Sequence, residues 1–268
     1  MMLWKRVLSA VIGILFVVLF IYSGTFPFAL FAVLVAFLLV KEYNAMIPVE
    51  YKYNQYLLSV YSIIIILYTY LNSKEIINIS NQAFYTFVII SFFIYHIITA
   101  DPKNFMEQLS YNLLGLIYIC GGLAFLILLR NFSAEPFDKT NAIWLVLLTT
   151  WATDTGAFFI GNRFGKTKFT EISPKKSLEG VFGGIVSAIL IVSIFSLIKG
   201  FFSLGMIIYA VFAALFAVLG DLFESCLKRS AGIKDSGNLI PGHGGVLDRL
   251  DSLFFTAPFT YLFLISFI

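Results

Sequence analysis

Nine long apolar runs divide the chain, at about residues 7–23, 26–40, 57–71, 83–99, 112–129, 142–160, 181–198, 201–220 and 253–268. They are continuous and lack the strict apolar–polar alternation of barrel strands. A helix needs roughly 20 mostly apolar residues to cross the hydrocarbon core, and most of these runs approach that length. The pattern predicts an all-α, polytopic integral membrane protein with about nine transmembrane helices. No internal repeat or low-complexity linker interrupts it, so residues 1–268 read as a single membrane domain. Within it, N-terminal helices fill 1–140, and a second half, 141–268, carries two polar loops at 161–180 and 221–252.

Composition sharpens this picture. Of the 268 residues, 60% are hydrophobic and 12% charged, against about 45–50% and about 25% in soluble domains. The basic start and apolar run of MMLWKRVLSAVIGILFVVLFIYSG superficially resemble a signal peptide. No small-x-small cleavage site and polar mature chain follow, and a second apolar run begins at Phe26, so a first membrane helix is expected. Cys120 and Cys226 each sit alone in apolar or helical sequence, which argues for packing over a disulfide or metal site.

The charges orient the helices. With the N-terminus in the cytoplasm, one side receives Lys5, Arg6, Lys41, Lys52, Lys103, Arg163, Lys166, Lys168, Lys175, Lys176, Lys228, Arg229, Lys234 and Arg249, fourteen of the 18 basic residues. The other side receives Lys74, Arg130, Lys139 and Lys199. That asymmetry follows the positive-inside rule and puts both polar loops on the cytoplasmic face. Nine of the fourteen lie in those two loops, so the loops carry most of the signal.

In the first loop, GNRFGKT (Gly161–Thr167) invites comparison with a P-loop. Only three residues separate its glycines, where the phosphate-wrapping turn needs four, and an apolar helix precedes it instead of a strand. A P-loop is therefore excluded, although glycines interleaved with cations can still approach phosphate or anionic headgroups. Ser173-Pro174-Lys175-Lys176-Ser177 places two adjacent cations beside two hydroxyls. Ser177 also precedes Leu178-Glu179, so it is equally a candidate cap of the next helix. Just upstream, Asp154 interrupts the apolar run WLVLLTTWATDTGAFFI. A membrane-embedded carboxylate is costly enough to mark either a functional acid or a buried, hydrogen-bonded structural one.

The second loop opens on a helix, where Asp221, Glu224, Ser225 and Lys228 recur at i, i+3, i+4 and i+7 and so share one face. Pro241-Gly242-His243-Gly244-Gly245 cannot be helical, and its glycines let the backbone approach a ligand. Asp248 and Asp251, at i and i+3, begin the last helix. There they suit either the helix dipole or, together with Asp221, a hard cation such as Mg²⁺ bound through oxygen. His243 reads as a phosphate contact or a loop support, and Ser236 and Asn238 as ordinary solvated residues. Acids for a metal, with lysines and glycines for phosphate, form a set suited to chemistry at phosphorus.

Ser225-x-x-Lys228-Arg229, Lys234-Asp235, Pro241-x-His243-Gly244-Gly245 and Asp248-Arg249-x-Asp251 together resemble the full signature of the phosphatidate cytidylyltransferase family. DTGAFFIGNRFGK and ISPKKSLEG upstream are also similar to the family, so the clear resemblance covers about Asp154 to Ser252. It implies the family's nine-helix fold, a homodimer, and transfer of the cytidylyl group of CTP to phosphatidate at the cytoplasmic face. It further implies Mg²⁺, with K⁺ as a second cation, and no nucleic-acid partner. Carried over by position, Asp221 and Asp248 are the metal ligands, with Asp154 a further candidate, and Lys228, Arg229 and Asp251 are catalytic. Lys175, Lys176, Ser177, Ser225, His243, Gly244, Gly245 and Arg249 would bind substrate. Abundant Ile, Phe and Tyr suggest an AT-rich bacterial genome and hence a bacterial inner membrane. Two alternatives stand beside this reading: a CTP-dependent polyprenol or lipid-alcohol kinase, and an ion-coupled transporter using Asp154, Asp221 and Asp248.

Overall fold

The computed structural model describes residues 2–48, 56–135, 137 and 140–267, with the side chains of residues 2, 3, 5 and 6 outside that description. Lys5 and Arg6 as side chains, and Lys52 and Lys139 altogether, therefore lie outside the described residues. Among the described residues there are nine helical runs. They are α1 (Met2–Tyr22), α2 (Thr25–Met46), α3 (Leu57–Ser73), α4 (Asn81–Thr99), α5 (Phe105–Gly115) continuing through a π-helical turn (Leu116–Gly121) into α6 (Gly122–Asn131), α7 (Asn141–Phe164), α8 (Leu178–Lys199), α9 (Leu204–Ser230) and α10 (Leu247–Phe267). Seven are long and apolar enough to cross a membrane, and Val7–Tyr22 and Leu57–Ser73 are shorter apolar helices. Large apolar side chains such as Phe87, Phe182 and Ile198 are exposed on them, as a lipid-facing surface requires. The protein is a multi-pass membrane protein.

The helices exceed the apolar runs where polar groups find partners. The second run ends near residue 40, yet α2 continues to Met46 through Lys41-Glu42-Tyr43-Asn44. The eighth run ends near residue 220, and α9 continues to Ser230, carrying its acidic and basic stripe with it.

The chain forms two compact units, Met1–Leu128 with Ser236–Leu247, and Leu129–Asp235 with Asp248–Ile268. In the first unit α2, α3 and the π turn pack closely around Leu39, Leu58, Ile66 and Ile119, all buried. Gly115 permits the approach, because a Cβ there would lie 2.6 Å from Leu58 Cδ1 and 2.7 Å from Tyr43 Cε1. Tyr43 Oη donates to Tyr111 O at 2.7 Å, and Ser62 Oγ lies 3.0 Å from the buried Cys120 Sγ. Both cysteines are free; Cys120 is buried, as a packing role requires, whereas Cys226 is exposed on α9 and does not pack inside the unit.

In the second unit α7 and α8 form the most extensive helix pair. A Cβ on Gly184 would lie 2.8 Å from Thr153 O, and one on Gly156 would strike Gly183 O and Ser187. Small residues at this seam bring the backbones together, as helices do in lipid, where apolar burial gives no preference for protein over acyl chain. Gly220 serves the same purpose between α9 and α10, since a Cβ there would lie 2.6 Å from Asp251 O.

Candidate active site

In the second unit, α7 supplies Asp154, the loop before α8 supplies Lys176, α9 supplies Asp221, Glu224, Ser225 and Lys228, and α10 supplies Asp248 and Asp251. The helical spacing on α9 does what the sequence implies. Ser225 Oγ donates to Asp221 Oδ1 at 3.4 Å, and Lys228 pairs with Glu224 one turn earlier. Lys228 Nζ also donates to Asp248 Oδ1 at 2.6 Å, which ties α9 to the first turn of α10. Lys176 Nζ reaches Asp221 Oδ2 at 2.7 Å. Asp154 interacts electrostatically with Asp221, Lys176 and Arg249, and Asp251 with Asp221, Asp154 and Lys228.

Two ammonium groups thus hold three carboxylates by direct contact, Asp221 through Lys176 and Glu224 with Asp248 through Lys228, while Asp154 and Asp251 interact with the group electrostatically. Burial grades them. Glu224 is fully buried and its Oε1 has no hydrogen-bond partner among the described residues. Asp248 is nearly buried, with its side chain 7% exposed, and the side chain of Asp221 is 34% exposed. Asp154 lies on α7 and interacts with charged groups of the loop before α8, of α9 and of α10, so it is not an isolated carboxylate.

Among the described residues, no three His, Cys, Asp or Glu side chains converge closely enough to enclose an ion. Mg²⁺ does not require such a cage, because it keeps several waters and binds through one or two carboxylates plus substrate phosphates. An all-oxygen donor set with carboxylates in excess of cations fits that cation.

Other expected residues have more local surroundings. Ser177 caps α8, accepting from Gly180 N at 3.1 Å, and a Cβ on Gly165 would lie 2.6 Å from its Oγ. Lys175 is exposed. Arg229 is exposed and donates through Nη1 to Ile233 O at 3.0 Å, closing the C-terminal end of α9. Glu179, which sequence reasoning missed, accepts from Lys166 N, Thr167 N and Thr167 Oγ1 at 2.9–3.2 Å and fixes the start of the lysine-rich loop. Leu178 N donates to Thr167 O and Phe169 N to Lys176 O, folding that loop into a short two-armed ribbon.

His243, Gly244 and Gly245 belong to the first unit. Gly242 and Gly244 adopt left-handed φ values of 79° and 82°, which side chains disfavour. His243 Nδ1 lies 2.9 Å from Ser9 Oγ, and Ser9 Oγ donates to Pro241 O at 3.1 Å. The histidine therefore supports the loop. Ser236 corrects the sequence reading: it is buried, not solvated, because its Oγ donates to Glu42 Oε2 at 3.2 Å.

Acids on α7, α9 and α10, gathered with lysines of α9 and of the loop before α8, suit an enzyme of phosphate chemistry at a lipid surface. A sequence model described as the cytidylyltransferase family matches residues 4–267, and the chain belongs to that family. It is similar to phosphatidate cytidylyltransferases of several bacteria. That of Bacillus subtilis is 37% identical over 193 residues, 71% of this chain and 70% of the relative. That of a Staphylococcus epidermidis strain is 32% identical over 269 aligned positions, 97% of this chain and 98% of the relative. That of Helicobacter pylori is 49% identical over 126 residues, 46% of each. The match from residue 4 extends the resemblance well beyond the Asp154–Ser252 stretch legible from motifs.

Proposed function

We infer that the protein transfers the cytidylyl group of CTP to phosphatidate, forming CDP-diacylglycerol and pyrophosphate. The observation that carries this reading is the end-to-end similarity to a phosphatidate cytidylyltransferase, 97% of this chain against 98% of the relative. The pairing of Lys176 with Asp221 and of Lys228 with Asp248 gives it a chemical basis.

A phosphatidate phosphate oxygen bonds to the α-phosphorus of CTP while the bond to the α–β bridging oxygen breaks, and pyrophosphate departs with that electron pair. An ionised phosphate needs no base to activate it, so positioning and charge neutralisation carry the catalysis. Lys176 and Lys228, held against Asp221 and Asp248, are placed to exchange a carboxylate partner for phosphate oxygens. Ser177 at the cap of α8, Ser225 on α9 and Lys175 in the preceding loop add polar groups for substrate, and Arg249 adds positive charge beside Asp154. Mg²⁺ would be held by Asp221 and Asp248, with Asp154 as a further donor and K⁺ as a second cation, and it neutralises charge on the phosphates when bound. Asp251 completes the acidic surroundings.

The basic-residue asymmetry supports a cytoplasmic N-terminus with both polar loops on the cytoplasmic side of a bacterial inner membrane. Family resemblance supports a homodimer. A lipid-alcohol kinase would instead move the γ-phosphoryl group and release CDP. Incubating the purified full chain with CTP, Mg²⁺ and phosphatidate and measuring pyrophosphate separates the two: pyrophosphate and CDP-diacylglycerol are expected, and CDP release would overturn the reading.

A further inference from the structure

Glu42 stands outside every motif in the sequence, on α2 in the N-terminal half, and it is 7% exposed. Its carboxylate is fully engaged. Oε1 accepts from Val246 N at 2.9 Å, and Oε2 accepts from Leu247 N at 2.8 Å and from Ser236 Oγ at 3.2 Å. Among the described residues it forms no ion pair, so main-chain and hydroxyl dipoles balance a buried negative charge.

The chain folds around that carboxylate. A Cβ on Gly237 would lie 2.8 Å from Glu42 Oε1, and one on Gly245 would collide with Ser236 Oγ and the Glu42 carboxylate. Gly237 and Gly245 are thus small because Glu42 is there. Leu247 opens α10, and the first amides of a helix have no intrahelical acceptor. Glu42 caps that terminus from a residue 205 positions earlier, with a charge the helix dipole favours. The capped residue immediately precedes Asp248 in the chain.

We propose that Glu42 is a positioning residue for cytidylyl transfer, its carboxylate fixing the Ser236–Leu247 loop that carries His243, Gly244 and Gly245 and delivers the chain to Asp248. A buried carboxylate without a cation is costly unless fully hydrogen-bonded, and its two oxygens match three converging donors. Glutamine fits this task poorly. Its single oxygen leaves an NH₂ group facing a donor. Aspartate keeps both oxygens but is one methylene short.

This inference rests on the proposed reaction, so the test has one arm that needs no catalysis. Glu42→Gln, Glu42→Asp, Glu42→Ala and Ser236→Ala are prepared as full chains in detergent. Amide hydrogen exchange across 236–247 is measured with kcat and KM for CTP, well below each melting temperature. Faster exchange at Val246 and Leu247 is expected in Glu42→Gln and Glu42→Ala. In the same variants kcat should fall at least about tenfold, the scale of losing one or two hydrogen bonds to a charged group. Glu42→Asp should recover part of kcat, and Ser236→Ala should lose about two- to threefold with folding intact. Wild-type kcat in Glu42→Gln would overturn the proposal, as would unchanged exchange there. If the Glu42 variants do not fold, wild-type kcat and exchange in Ser236→Ala overturn it. If wild type releases no pyrophosphate, the reaction is wrong, and the exchange arm still decides whether Glu42 holds the loop.

Discussion

The two units use carboxylates in opposite ways. In the first, Glu42 is bound by main-chain amides and a serine, partners that cannot leave without unfolding the loop. In the second, Asp221 and Asp248 are bound by lysine ammonium groups on flexible stems. Under the proposed function a phosphate takes such a lysine and a cation takes such an aspartate, which would make the pairing exchangeable. One arrangement fixes shape, and the other, under the proposed function, holds charge for a substrate. Burial grades the second unit further, from the fully buried Glu224 to the half-open Lys176–Asp221 pair.

That contrast can be broken by mutation. The largest effect is expected on turnover: Asp221→Asn or Asp248→Asn should lower kcat by about 10²–10³-fold, the scale of losing one preorganised electrostatic group. Melting temperatures in detergent should stay within a few degrees of wild type, since Lys228 keeps Glu224 and Lys176 reaches water. Next, Lys228→Met should destabilise the fold by about 3–5 kcal/mol, because it strands buried Glu224 and Asp248 without their cation. Thermal unfolding measures this, and a neutral result would show that the pair is less buried than described. Gly220→Ala should cost about 1–3 kcal/mol and displace Asp251, because its Cβ would press on main-chain atoms that cannot swing aside. Lys176→Met sets the lower end, with about 0–1 kcal/mol expected for a pair whose side chains are 24% and 34% exposed. Its activity should nevertheless fall sharply, and that separation of stability from turnover is what an exchangeable pair predicts.

The helices were legible because hydropathy alone decides them: each of the nine apolar runs is a helical run among the described residues. The i, i+3, i+4, i+7 stripe on α9 was equally legible, since helical geometry follows directly from spacing. Lys228 bridging to Asp248 was not, because a sequence does not say which turn of another helix lies within reach. Glu42 was less legible still. It follows an apolar run and reads as the start of a loop, while its partners lie 194–205 positions away. Only the structure shows that α2 continues past the apolar run to Met46 and buries Glu42 on the way. The π turn at Leu116–Gly121 left no mark in hydropathy, since it changes backbone pitch and leaves side-chain polarity unchanged.

The central claim is that Asp221 holds charge for catalysis and is not a structural tie. Initial rates of pyrophosphate release from CTP and phosphatidate, with Mg²⁺ present, test it most directly when wild type and Asp221→Asn are compared at matched melting temperature. Lipid-dependent release by the wild type and near-background release by the variant are predicted. A near-wild-type rate from Asp221→Asn would contradict the account.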